Sequence, residues 1–336
     1  MNKRITPFIS VIIASRNPKY LDEAINSVLT QEFCRDMYEL IIVSSNENTN
    51  STSKINFEGV RYYYKRNSTM GEALAYGISV SVGEVLCFLD DDDRFSKNKL
   101  SVIYELFLNN PELNYIHNSS KFIDYKGRTI AGKGLIHKTN KCYKISPKRK
   151  LCSELLFNRL RREKLDFNSS SISLRKKLIE PYIEYLGRVT ALVDTIMLYL
   201  ILEKEGMIAI ITQEMTDYRL HDSLSNSSII SKESVENHIL YYKKCKESLL
   251  PLTYSSEVSS CLIKRVNRKI ISINIAEYLL SSNCEINIQQ IFIFLKMNLL
   301  FRPIYSLFLC LSVFLKILIG HDDFYPFSVK LMRIGF

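Results

Sequence analysis

Over the first hundred residues, short apolar runs alternate with segments of helical period. Residues 8–14 (FISVIIA) are apolar and rich in β-branched side chains, which predicts a strand buried on both faces. Asn17-Pro18 then reads as a helix start, with Asn as N-cap and Pro at the first helical position. Leu21, Ala24, Ile25, Val28 and Leu29 recur at i, i+3, i+4, i+7 and i+8, so one face of that helix is apolar. Residues 38–43 (YELIIV) and 60–64 (VRYYY) predict a second and a third buried strand. A helix from about Thr69 to Val82 leads into a fourth strand at 85–89 (VLCFL). Strands alternating with helices imply βαβ units and an α/β fold with a mostly parallel sheet flanked by helices.

The middle of the chain is less regular. Residues 96–108 read as a helix that stops before Pro111, and 115–117 and 122–125 as short strands with Gly127 at a turn. Residues 191–203 read as a helix, and 207–211 and 217–220 as two more short strands. Beyond Ser231 long helical segments with few turn residues take over, which places a boundary near residue 230. Thirteen of the sixteen residues at 304–319 (IYSLFLCLSVFLKILI) are apolar. At helical rise they cover roughly 24 Å, short of a ~30 Å hydrocarbon core. Lys316 interrupts the run and Pro303 precedes it, so a packed core helix or an interfacial helix is favoured over a span.

Composition narrows the classes. With 336 residues, 46% hydrophobic and 24% charged, the chain is neither wholly disordered nor polytopic in a membrane. Its eight cysteines are dispersed and form no CxxC pair, which argues against a zinc ribbon and a disulfide scaffold. The first ten residues hold basic side chains but no apolar core of signal-peptide length before Pro7. The expectation is a cytoplasmic protein with reduced thiols. The net charge of +10 is concentrated: from Lys138 to Lys177 thirteen Lys or Arg face three Asp or Glu, an excess of ten. Such a segment, expected as loop plus helix, suits an anionic partner or a solvated face. No aromatic-rich motif accompanies it, so nucleic acid is not an expected partner.

Four consecutive carboxylates, Asp90, Asp91, Asp92 and Asp93, follow directly on the fourth strand. Desolvating them together without a counter-ion is costly, yet ligands of open α/β sheets bind at the carboxyl ends of strands. Their hard oxygens suit Mg²⁺ or Mn²⁺, ions that in turn bind diphosphate.

With these stretches the chain resembles a family 2 glycosyltransferase of the GT-A fold, which uses a nucleotide-sugar donor. The matching segments are ISVIIASRNPKYLDEAINSVLTQ at 9–31, YELIIVSSN at 38–46 and MGEALAYGISVSVGEVLCFLDDDD at 70–93. LVDTIMLYLILEKEGMIAII at 192–211 and YRLHDSLS at 218–225 follow in family order. The resemblance implies a catalytic domain over 1–230, with a nucleotide-sugar half at 1–93 and an acceptor half at 94–230, and a helical region at 231–336. It implies that the Asp run is a D-x-D motif, with Asp90 at the ribose or metal shell, Asp91 among the donor-binding residues and Asp92 as the ligand of Mn²⁺ or Mg²⁺. His221 would be a further metal or diphosphate contact, Arg219 would offset phosphate charge, and Asp194 would be the general base. Ala14, Ser15, Arg16, Ser44 and Ser45, with Arg66, would line the base pocket.

Two positions depart from the family pattern: Ser44-Ser45-Asn46 stand where one or two Asp are common, and Val193 stands where a Glu usually precedes the base. The reaction implied is inverting transfer from a UDP- or GDP-sugar to a glycan or lipid-linked acceptor, at an anionic membrane surface met by the basic segment and the apolar helix. A catalytically inactive nucleotide-sugar-binding relative is the alternative. A nucleotidyltransferase would carry a Gly-rich basic loop after the first strand, where this chain reads ASRNPKYL.

Overall fold

In the computed structural model, residues 6–16, 19–46, 59–145, 160, 163–220, 232–255, 258–280 and 312–313 are described. The early apolar runs form β1 (Ile9–Ser15), β2 (Tyr38–Ser44), β3 (Val60–Tyr64) and β4 (Val85–Asp90), parallel and in the order β3-β2-β1-β4. Three helices accompany them: α1 (Leu21–Leu29), α2 (Met70–Val80) and α3 (Lys99–Asn109). Ile9, Val11 and Ile13 of β1 share one apolar cluster with Leu21, Ala24, Ile25 and Val28 of α1 and Leu100, Ile103 and Phe107 of α3. Ile12 points the other way, towards α2, where a Cβ at Gly77 would collide with it. Covering on both faces is why β1 is apolar without alternation, and each such side chain contributes about 1.5–3 kcal/mol by burial. Glu39, the acid within the apolar β2, is buried and accepts from Ser10 Oγ (2.6 Å), the Val82 amide (2.7 Å) and Arg61.

Helix termini show where local signals hold. Thr69 caps α2 through a capping box: Thr69 Oγ1 accepts from the Glu72 amide (3.2 Å), and Glu72 Oε2 accepts from the Thr69 amide (2.7 Å). α1 begins later than the Asn17-Pro18 signal predicts, after Tyr20 and with no side-chain cap; Asn17 and Pro18 lie outside the described residues. β3 is only half-buried rather than a core strand, because it is the terminal strand of this half of the sheet.

Beyond β4 the sheet is mixed. β5 (Arg94–Phe95), β6 (Leu113–Ile123), β7 (Thr129–Leu135), β8 (Lys141–Ile145), β9 (Ile172–Arg175) and β10 (Gly206–Arg219) extend it in the order β4-β9-β6-β10-β5, with β7 on β6 and β8 on β10. β9 runs antiparallel to both β4 and β6, whereas β6 and β10 are parallel. The pairs of short strands expected at 115–125 and 207–220 are mostly single long strands, β6 and β10. His117, at the end of the first expected strand, and Asn118, Ser119 and Ser120 after it are fully buried within β6. The basic segment is not loop plus helix where it is described. It contributes β8, a 3₁₀ turn at Ser169–Ser171, β9 and the short α4 (Lys176–Ile179); residues 146–159 and 161–162 lie outside the described residues.

Two further helices, α5 (Ile183–Gly187) and α6 (Val193–Leu202), precede β10. The chain divides into two compact units, Met1–His221 and Asp222–Phe336. The second contains α7 (Lys232–Tyr254) and α8 (Ser260–Leu280). Of the apolar run at 304–319, Ser312 and Val313 are helical and buried, and the rest lies outside the described residues. Among the described residues no helix is long and apolar enough to cross a membrane, and Cys34, Cys87, Cys142 and Cys245 are free thiols.

Candidate active site

Parallel register brings three strand ends together. Ala14 of β1 pairs with Val43 of β2 and Asp90 of β4, and Ser15 pairs with Ser44. The loops that follow are laced to one another. The Arg16 amide donates to Asp91 Oδ2 (2.9 Å), the Ser45 amide to the Ser15 carbonyl (2.9 Å), and Asn46 Nδ2 to the Arg16 carbonyl (2.9 Å). Tyr62 of β3 adds a hydroxyl donated to the Asn46 carbonyl (3.0 Å). Asp91, itself buried, is therefore a brace between the β4 and β1 loops.

The expected base-pocket residues divide. Ala14 and Ser44 are buried, and the Ser44 hydroxyl turns back on Asn46, accepting from its amide (3.1 Å) and facing its carbonyl (3.0 Å). Ser15 Oγ is buried with no hydrogen-bond partner. Ser45 is half-buried and Arg16 is exposed at the strand ends. Arg66 lies in the exposed turn after β3, beside Asn67 at φ +54°, and no described hydrogen bond ties it to the strand ends.

The acidic run forms a cluster. One carboxylate oxygen from each of Asp90, Asp92 and Asp93 lies within 4.8 Å of the others. Asp90 donates its amide to Ser170 Oγ (3.0 Å) and accepts at Oδ1 from Ser169 Oγ (2.6 Å). Its pKa is pushed up to about 7, first by burial and then by the Asp92 carboxylate. Asp93 is buried; its Oδ1 accepts from the Arg219 amide (2.8 Å) and its Oδ2 has no hydrogen-bond partner. Burial, then Asp92 and Asp90, hold its carboxyl well above the ordinary range. Crowded hard oxygens, an unpartnered buried carboxylate oxygen and carboxyls shifted towards higher pKa fit a divalent-ion site.

Arg219 stands behind this loop rather than in front of it. Its side chain is fully buried, and the guanidinium donates to the Asp92 carbonyl (2.7 Å), the Asp124 and Tyr125 carbonyls (3.2 and 3.3 Å) and Glu23 Oε2 (2.7 Å), 4.1 Å above the Tyr20 ring. Arg219 was expected to offset phosphate charge; here its donors are committed to the main chain that carries Asp92, to two further carbonyls and to Glu23. His221 lies outside the described residues.

Asp194 sits in the first turn of α6, which starts from Leu192 in the left-handed conformation (φ 61°, ψ 34°). A branched side chain there is strained and needs surroundings that hold it. Asp194 Oδ1 accepts from the Thr195 amide (2.8 Å). Its charge is the weakest of those that raise the pKa of Asp90. Four residues of the site had no individual role assigned from the sequence. Asp93 completes the cluster, and the run of four acids was its signal. Ser169 and Ser170 hold Asp90, and Asp166 Oδ2 accepts from Thr195 Oγ1 (3.2 Å) beside Asp194. Neither serine nor Asp166 belongs to a motif, so no sequence signal marked them.

Comparison with known proteins follows this geometry. Residues 10–180 match the family model described as glycosyl transferase family 2. An uncharacterized glycosyltransferase of Rickettsia conorii is 33% identical over 129 residues, covering 36% of this chain and 21% of that protein. Another, from Nostoc sp., is 33% identical over 129 residues, 36% of this chain and 39% of that protein. The matches thus span well under half the length of these curated relatives. A crystal structure of S. aureus TarS 1-349 matches over 98% of this chain and 92% of its own, at 14% identity and a TM-score of 0.59. TarS has also been solved in complex with UDP and with UDP-GlcNAc. At that identity the likeness shows the fold, so the α/β GT-A-type architecture expected from the sequence is the one adopted.

Proposed function

The chain belongs to glycosyl transferase family 2, and on that premise we propose that it transfers a glycosyl group from a nucleoside diphosphate sugar to an acceptor hydroxyl with inversion. The observation that carries this reading is the cluster of Asp90, Asp92 and Asp93 carboxylate oxygens, within 4.8 Å of one another at the carboxyl end of β4. Asp90, Asp92 and Asp93 would hold Mn²⁺ or Mg²⁺, with His221 as a further contact. When bound, such an ion offsets the charge that develops on the departing diphosphate.

The remaining roles fall to the chain's own side chains. Asp194 takes the proton of the acceptor hydroxyl as its oxygen bonds to the anomeric carbon and the bond to the diphosphate oxygen breaks. A single base and direct displacement leave the anomeric centre inverted. Ser15, Arg16 and Ser45 line the nucleotide end, and Asp91 holds the Arg16 main chain against the β4 loop. UDP is the favoured nucleotide because TarS, which shares the fold, was solved with UDP and UDP-GlcNAc; a GDP-sugar is the other candidate. The acceptor is a glycan or lipid-linked hydroxyl, and the basic excess at 138–177 suits attachment to the anionic inner face of a membrane.

Calorimetric titration of UDP and GDP with Mn²⁺, then with EDTA, tests the reading. Wild type should bind one nucleotide only with the metal, and Asp92→Ala should abolish that binding while its circular dichroism is unchanged. Nucleotide binding indifferent to EDTA and to Asp92→Ala would refute the metal site, and no binding at all would favour an inactive relative.

A further inference from the structure

Lys99 is the first residue of α3 and its side chain is fully buried. An ammonium has three donors, and here each has an acceptor: the Ser170 carbonyl (2.6 Å), Asn118 Oδ1 (3.0 Å) and Thr216 Oγ1 (3.3 Å). The same nitrogen lies 4.0 Å from the centroid of the Phe95 ring. Burying an ammonium is costly even when it is paired, and a well-packed apolar side chain would serve stability as well or better. Its retention therefore calls for a consequence at its partners.

Those partners lead to Asp90. Ser170 belongs to a tight turn entered from Asn168 at φ +63°, and the Asn168 side chain accepts from the Ser170 amide (2.9 Å). The Ser170 carbonyl takes the Lys99 ammonium and the Thr216 hydroxyl (2.8 Å) together. On the other side of the turn, Ser170 Oγ accepts the Asp90 amide and Ser169 Oγ donates to its carboxylate. One rigid turn thus has a cation on one side and a carboxylate of the acidic cluster on the other.

We infer that Lys99 is a positioning residue of the metal site: its ammonium fixes the Asn168–Ser171 turn, and Ser169 and Ser170 in turn set the carboxylate and main chain of Asp90. The inference rests on the reading that the acidic cluster binds a divalent cation together with a nucleotide. Burial lowers the pKa of Lys99 to about 7, while the nearby Cys87 and Asp93 act to raise it. Groups that orient a metal ligand typically change metal affinity 10- to 100-fold when removed.

The test is Mn²⁺ titration at fixed UDP, read as UDP binding by calorimetry, on wild type, Lys99→Met, Ser169→Ala and the double variant. Lys99→Met should raise the Mn²⁺ concentration for half-maximal UDP binding by about 10- to 100-fold, with UDP affinity unchanged at saturating Mn²⁺. Adding Ser169→Ala to Lys99→Met should bring no further rise, because both act through one turn. A merely structural lysine would lower the melting temperature without moving the half-saturation point. A folded Lys99→Met with wild-type half-saturation overturns the inference alone, whereas a wild type that binds no UDP with Mn²⁺ overturns it together with the glycosyl-transfer reading. Should Lys99→Met fail to fold, Thr216→Val carries the test. A raised half-saturation there supports the inference, and an unchanged one overturns it.

Discussion

His117→Gln is expected to remove about 2 kcal/mol of acid sensitivity from the protein between pH 7.5 and pH 5. His117 is fully buried in β6, with Nε2 2.8 Å from the Phe167 carbonyl and Nδ1 3.0 Å from His137 Nε2. A carbonyl only accepts, so Nε2 carries the proton, Nδ1 is the acceptor and His137 Nε2–H donates to it. Charging His117 would set two N–H groups against each other in a buried site, and burial lowers its pKa to about 3. The neutral form is thus favoured when folded, whereas the unfolded side chain titrates near its ordinary 6.5. Stability from this group is fully present above pH 6.5 and is lost as the pH falls towards 3, at up to about 1.4 kcal/mol per pH unit. At pH 5, 1.5 units below the unfolded value, the loss is about 2 kcal/mol.

Glutamine keeps an N–H for the Phe167 carbonyl but has no proton to gain. It also leaves the His137 donor unmatched, which costs about 1–3 kcal/mol at any pH. Urea unfolding by far-UV circular dichroism at the two pH values should therefore find the variant less stable at pH 7.5 and close to wild type at pH 5. If wild type and variant lose the same stability over that interval, the assignment of a neutral, doubly hydrogen-bonded His117 is wrong.

Asp194→Asn should leave Mn²⁺-dependent nucleotide binding intact while lowering transfer to an acceptor by about 10²- to 10⁴-fold, the usual contribution of a positioned base; transfer at the wild-type rate would exclude Asp194. Gly71→Ala should destabilise the first unit by about 1–3 kcal/mol in thermal melts, because a Cβ there would overlap the carbonyl oxygens of Val189 and Leu186, main-chain atoms that cannot step aside. An unchanged melting temperature would show that α2 and the segment after α5 are not packed as described.

Much of the parallel half of the sheet was legible because its signals are local. The apolar runs at β1, β2 and β4 are buried on both faces, so burial acts on consecutive residues, and the Thr69 start of α2 rests on a contact three residues away. The acidic cluster was legible for a similar reason: four neighbouring carboxylates at a strand end cannot be ordinary core. β6 and β10 were not legible as continuous strands. Asn118, Ser119 and Thr216 fell between the expected short strands, and partners about 45 to 100 residues away make their burial and that of His117 tolerable.

The sequence by itself therefore determined the βαβ order, the strand that delivers the acids and the helix that carries Asp194. Tertiary structure alone decided which charges are buried against the main chain of the acidic loop and its supporting turn. Lys99 carried no assigned role in the chain and Arg219 was expected to offset phosphate charge, yet both are buried, one on the turn beneath Asp90 and the other on the Asp92 main chain. The physical reason is that burying a charge depends on acceptors being in place, and here those acceptors come from Glu23, Asn118, Ser170 and Thr216, far apart in sequence.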